Sequence, residues 1–230
     1  MTNATMPQQA TGGTGQAISQ MSFPKDWLAI EAMVAEGVDA ETWMGISYVV
    51  LRGRLSRLYF DPIRRLTREP GERGQGEGFS ILTIQCSVLE FLAALRKGWS
   101  FKHGHQVQGK DNFYGNSKLL FTSFLLENEP FAHSFTTPEG ANQFYTDVRC
   151  GLVHEGQTKN AWRIWRGQGS DPLIDFGRKA IYRDVMQRQI ETYLDRYCIE
   201  LAHSAVLQQA FVRKFGYLYA NNVTPSTALA

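Results

Sequence analysis

The chain is short of cysteine, of net charge and of any targeting segment, and each shortage removes a class of function. Only three cysteines occur in 230 residues, Cys86, Cys150 and Cys198, with no Cys-x-x-Cys. A disulfide framework and a zinc knuckle are therefore disfavoured, and a reducing cytoplasm is the expected compartment. The formal charge is +2, so any surface for an acidic polymer has to be a local patch rather than a property of the whole chain. The first twenty residues lack both a basic start and an apolar run, which argues against a signal peptide. No stretch reads as long and apolar enough to cross a bilayer, so no membrane partner is expected. The glycine-rich stretch from Pro70 to Gly78 lacks the Gly-Lys-Ser/Thr ending of a phosphate-binding loop. No internal repeat is visible.

What remains is an ordinary globular composition, 43% apolar and 20% charged, enough for one packed core. Residues 1–22, rich in Gly, Thr and Gln, read as a disordered tail. Residues 23–217 read as a single domain and 218–230 as a flexible tail. A short helix follows Pro24. Asp39 caps a longer one through Trp43, Ile46, Val50 and Leu58, interrupted at Asp61-Pro62. Residues 79–98 are apolar nearly all round and end in Arg96-Lys97-Gly98, the pattern of a central bundle helix. Residues 99–115 read as loop, and Asn116 or Ser117 caps the next helix. Thr137-Pro138-Glu139 opens another, with the stripe Ala141, Phe144, Tyr145, Val148 and Leu152 and a stop at Gly156. The period then changes. Residues 161–183, with AWRIWR, the turn GQGSDP and LIDFGRKAIYR, predict a β-hairpin with room for a third strand. Asp184 starts a last long helix with the stripe Ile190, Tyr193, Leu194, Tyr197 and Leu201. The fold class is mainly α: a bundle of five to six helices with a β-hairpin inserted before the last long helix.

One segment offers chemistry beyond the fold. In Tyr145-Thr-Asp-Val-Arg149-Cys150-Gly151-Leu152-Val153-His154, an arginine precedes a histidine by five positions near a helix end. Together with the helical bundle and the lone acid Glu90 in the apolar helix, this resembles the R-x(4–6)-H motif of the HEPN superfamily (higher eukaryote and prokaryote nucleotide-binding domains). The resemblance spans roughly residues 40–205 in architecture, and its motif is two residues. The family pattern often has a polar Asn, Asp or His after the arginine, where this chain has Cys150. The resemblance implies metal-independent RNA cleavage with no cofactor. His154 would be general acid or base, and Arg149 would hold the phosphate and the charge of the transition state. The 2′-hydroxyl nucleophile would select RNA over DNA. A homodimer is also implied, because family nucleases need two motifs across an interface. Geometry agrees: five positions on an ideal helix put the side chains roughly 140° apart, so the helix must unwind near Val153 or a second copy must complete the site. A related branch carries a modified tyrosine two residues after the histidine; that position is Gly156 here, so regulation of that kind is not expected.

Plainer readings stand beside this one. Arg149 could pair with Asp147, Glu155 or Glu90, and His154 could close the helix end. Glu90 is either a buried acid needing a cation, with Arg149 the expected partner, or an exposed acid on a polar edge with Gln85 and Ser87. Cys150 and His154, four apart, could form a thiolate–imidazole pair, with a buried cysteine as the simpler alternative. His103, His105 and Asp111 are a weak metal set, and no metal site is expected. Arg52, Arg54, Arg57, Arg64, Arg65, Arg68 and Arg73 form the densest basic stretch, while Trp162, Arg163, Trp165 and Arg166 interleave rings with cations. Arg163, Arg166 and Lys159 are the residues expected to contact RNA. A stress-response or defence endoribonuclease is the leading expectation. The alternatives are a non-catalytic HEPN-like module binding RNA, a nucleotide or a regulatory protein partner, and a purely structural helical protein.

Overall fold

The computed structural model describes residues 27–68 and 76–221, so the expected tail at 1–22, residues 222–230 of the tail expected at 218–230 and most of the Pro70–Gly78 loop lie outside the described residues. Helix α1 (Trp27–Ala35) leads to α2 (Ala40–Ile46), where the Asp39 carboxylate accepts from the Thr42 amide at 2.8 Å. The chain then stays helical without a break through a π-helical stretch (Ser47–Arg52), α3 (Gly53–Leu55), a second π stretch (Ser56–Phe60) and α4 (Asp61–Arg68). The expected interruption at Asp61-Pro62 does not occur: Asp61 keeps helical dihedrals with its amide bonded to the Ser56 carbonyl, and Pro62 lies inside the continuous run at the cost of one backbone hydrogen bond. Trp43, Ile46 and Val50 are buried as the period requires, but Leu58 is 43% exposed. The π turns, with bonds five residues apart, shift the phase and bring Leu55 and Phe60 inward instead.

Helix α5 (Glu77–Lys97) runs through the middle of the bundle and packs against α4, α6 (Ser117–Glu127), α9 (Arg183–His203) and α10 (Ala205–Ala220). By length and composition it could cross a membrane, which corrects the expectation that no stretch reaches that limit. Its place accounts for the apolarity: Leu82, Leu89, Leu92 and Leu95 are fully covered, each burial contributing about 2 kcal/mol. Gly98 ends it with φ +68, and a Cβ there would lie 2.7 Å from the Ala210 Cα, so only glycine lets α10 approach this closely.

The segment expected as loop holds a short parallel pair, β1 (Ser100–Phe101) with β2 (Phe113–Tyr114). After α6, a continuous helical run comprises α7 (Pro138–Gln143), a π stretch (Phe144–Arg149) and α8 (Cys150–His154). Thr137 caps it by accepting from the Gly140 amide at 3.1 Å. Its predicted stripe, Ala141, Phe144, Tyr145, Val148 and Leu152, is buried throughout.

The small sheet differs from the predicted hairpin. Its order is β3 (Arg163–Trp165), β5 (Ala180–Tyr182), β4 (Ile174–Asp175), with β3 parallel to β5 and β4 antiparallel to it. The tight turn is therefore at residues 176–179, and GQGSDP is part of a crossover between parallel neighbours. The last helical region is also two helices rather than one. Ser204 breaks it and caps α10, which runs to Ala220, past the expected start of the tail at 218. The architecture is mainly α, a helical bundle with a small sheet before its last helices.

Candidate functional site

Arg149 ends the π stretch, and the bundle turns it inward to α5. Its Nη2 donates to Glu90 Oε2 at 2.8 Å, with 18% of the arginine side chain and 16% of the glutamate side chain exposed. A lone carboxylate on an apolar helix has thus found its cation, as burial demands. The Tyr114 hydroxyl donates to Glu90 Oε1 at 3.2 Å, so both carboxylate oxygens are held. Burial works to lower the Arg149 pKa, but the charge and hydrogen bond of Glu90 more than offset it and keep the guanidinium firmly protonated. The Tyr145 ring lies under the guanidinium, 5.3 Å from its carbon, and the Tyr145 hydroxyl shares a 2.7 Å hydrogen bond with Ser117 Oγ.

A second layer surrounds this pair. Burial pushes the Cys86 thiol up to about 12, so it is an inert core thiol rather than a nucleophile. Burial, with the nearby Glu90 charge, holds the Tyr114 phenol well above its ordinary value. Lys214 of α10 is buried, donates to the Trp99 carbonyl at 2.9 Å and faces the Phe91 ring at 5.8 Å. Burial brings its pKa down to about 8, with Glu90 pulling the other way. Lys214 and Tyr114 were not singled out in the sequence, and Ser117 only as an alternative to Asn116 for a helix cap that Asn116 supplies; the signals were a cation within an otherwise apolar stripe and hydroxyls beside a cap.

His154, in the last turn of α8, is exposed, and its imidazole makes no hydrogen bond or ion pair among the described residues. The helix does not unwind near Val153. The wide turn ends on Arg149, where the Cys150 amide bonds to the Tyr145 carbonyl, while beyond it the Glu155 amide bonds to the Gly151 carbonyl at 2.9 Å in the regular α pattern. The two motif side chains therefore keep their roughly 140° separation. Arg149 faces the bundle and His154 faces solvent.

The chain beyond His154 is tied back onto the same helix. Buried Asp147 accepts from Asn160 Nδ2 at 2.9 Å and from Trp162 Nε1 at 3.3 Å, and its carbonyl accepts from the Lys159 amide at 2.7 Å. Asp147, one of the possible partners of Arg149, is thus used otherwise. Gly151 permits the reversal: a Cβ there would sit 2.5 Å from the Gln157 carbonyl oxygen. The turn also needs φ +66 at Gly156, +52 at Asn160 and +64 at Ala161. This latch sets the surroundings of His154.

The other expected residues are spread out. Cys150 is half-buried against the core, and no hydrogen bond joins it to His154 among the described residues, so the thiolate–imidazole pair is not formed. Lys159 pairs with Glu155 at 3.3 Å. Arg163 is exposed on β3, and Arg166 donates to the Thr67 carbonyl at 3.3 Å. His105 packs on the edge of Phe113, and no metal-ligating cluster of three or more occurs among the described residues. The basic stretch is partly spent on ion pairs, Arg52 with Asp195 and Arg64 with Asp61 and, at 3.9 Å, with Glu191. No family model, curated protein or solved structure matches the chain.

Proposed function

We propose that the protein is a metal-independent endoribonuclease of HEPN type, built as a homodimer with composite sites and acting in stress response or defence in a reducing cytoplasm. The observation that carries this reading is a guanidinium kept charged and oriented by Glu90, one helical turn and a half from a solvent-facing imidazole at a latched helix end. His154 takes the proton of the ribose 2′-hydroxyl, or delivers one to the leaving 5′-oxygen. The 2′-oxygen bonds to the adjacent phosphorus, the bond from phosphorus to the 5′-oxygen breaks, and the products are a 2′,3′-cyclic phosphate and a 5′-hydroxyl. Arg149 offers its remaining donors to the phosphate oxygens as charge builds. Because the two side chains diverge on one helix, Arg149 of one copy works with His154 of the other.

The test is cleavage of generic single-stranded RNA with chelator present. Arg149→Ala and His154→Ala should each lower the rate by about a hundredfold or more. A mixture of the two variants should regain a part of it, since a mixed dimer rebuilds one intact site. Equal cleavage by wild type and both variants refutes the assignment. A second reading has its own observation. The Glu90–Arg149 pair is a competent brace between α5 and the α7–α8 run, and a structural role predicts that its loss changes only stability. Absence of cleavage by the wild type, with RNA still bound, favours a non-catalytic module.

A further inference from the structure

β3 is an edge strand, because the sheet order ends on it. Its middle residue, Ile164, turns inward onto the start of α5, where Gly78 leaves so little room that a Cβ would lie 3.3 Å from the Ile164 Cγ2. The pleat therefore sends both neighbours, Arg163 and Trp165, outward. Trp165 is 52% exposed, whereas Trp27, Trp43 and Trp162 are at most 4% exposed. Trp165 thus presents a ring to solvent on a strand edge, where the three core tryptophans do not.

The charge around it narrows the partner's chemistry. The sheet and its turns, residues 163–182, hold four Lys and Arg against two Asp and Glu. The surface around Trp165 thus carries a small local excess of positive charge. The Arg163 guanidinium makes no ion pair among the described residues, and Arg178 is 81% exposed beside Asp175. A solvent-facing ring with an unpaired arginine two residues before it on the same strand face matches an unpaired base next to its phosphate. An acidic peptide would use the charges but not the ring, and a duplex would hide its base faces.

We propose that Trp165 is a stacking platform for one unpaired base of a single-stranded RNA, with Arg163 holding an adjacent phosphate. The proposal rests on the RNA reading above and gives that reading a register. The strand follows directly from the latch of Asp147 with Asn160 and Trp162, and Lys179, in the turn before β5, donates to the Asn160 carbonyl at 2.9 Å. A base seated on Trp165 is thereby fixed relative to His154, so the platform selects which phosphodiester is presented.

The experiment uses a fluorescent 2′-O-methyl oligouridine, which cannot be cleaved, so that binding is read apart from catalysis. Wild type should bind it with quenching of tryptophan emission. Trp165→Ala should bind about tenfold more weakly or worse, with an unchanged melting temperature, and Trp165→Phe should retain most of the affinity. Arg163→Ala should lower the salt dependence of binding by about one counterion. A duplex of the same length and a polyglutamate should bind more weakly than the single strand. Wild-type affinity in Trp165→Ala, or duplex or polyglutamate bound as tightly as the single strand, overturns the platform. If Trp165→Ala loses binding while no RNA is ever cleaved, the platform stands and the nuclease reading falls. If wild type binds no RNA, both fall.

Discussion

Replacing Glu90 by Gln and Arg149 by Met, singly and together, tests whether the pair at the centre of the site is energetically coupled. At 2.8 Å and an effective dielectric of about 20, the attraction between the two charges is about 6 kcal/mol before costs. Removing each ion from water takes back several kcal/mol. Both side chains keep 16–18% of their surface, so solvent still screens them and neither pays the full penalty of a deep interior. The difference leaves a coupling of about 2 kcal/mol. Each single variant should lose about 2 kcal/mol, because the remaining charge is stranded, and the double variant should lose little more than either one. For a chain of this length each such loss lowers the melting midpoint by about 4–8 °C. Glu90→Gln leaves an oxygen for the Tyr114 hydroxyl, so the loss reports the charge rather than that hydrogen bond. Urea unfolding of all four proteins measures the cycle. A coupling below about 0.5 kcal/mol would refute the view that Glu90 orients Arg149.

Three further changes probe the surroundings of that pair. Gly151→Ala pushes a methyl group against the backbone of residues 157–159 and should cost about 1–3 kcal/mol; hydrogen exchange should show the Lys159 amide losing protection, and an unchanged Lys159 amide would contradict the latch. Lys214 has a folded pKa of about 8 against an ordinary 10.5, so between those values the unfolded chain binds more protons and stability rises with pH. Below pH 8 the cost of the buried charge is fully present. The stability difference between wild type and Lys214→Met should therefore change by about 1.4 kcal/mol per pH unit from 8 to 10, and parallel curves would show that Lys214 is not buried as described. Ser117→Ala removes the 2.7 Å hydrogen bond to Tyr145 and should cost about 1 kcal/mol in chemical denaturation; no loss would mean that the Tyr145 ring is held by packing alone.

How much of this was legible in the sequence depends on the range of the physics involved. The stripe from Ala141 to Leu152 could be read because a helix repeats its burial every three to four residues, and the π stretch inside it did not move those five positions off the core. Leu58 was misread for the converse reason: two π stretches precede or include it, and each shifts the phase of the stripe. The Glu90–Arg149 pair spans 59 residues, yet it was foreseeable, since a single carboxylate on an apolar helix requires a cation and few cations lie on inward faces. The parallel pairing of β3 with β5 was not foreseeable, because turn residues announce a reversal and GQGSDP announces one that the crossover only partly uses. The latch at Asp147 was hidden too: its partners Asn160 and Trp162 come close only through a reversal that needs positive φ at Asn160 and Ala161, residues that do not advertise it. What survived unchanged from sequence to structure is the angle between Arg149 and His154. The helix stays regular between them, so one chain supplies an oriented cation facing inward and an imidazole facing out. On the proposed reading, cleavage at one phosphate would need a second copy to bring the missing half, and the complementation of Arg149→Ala by His154→Ala separates that arrangement from a helical brace.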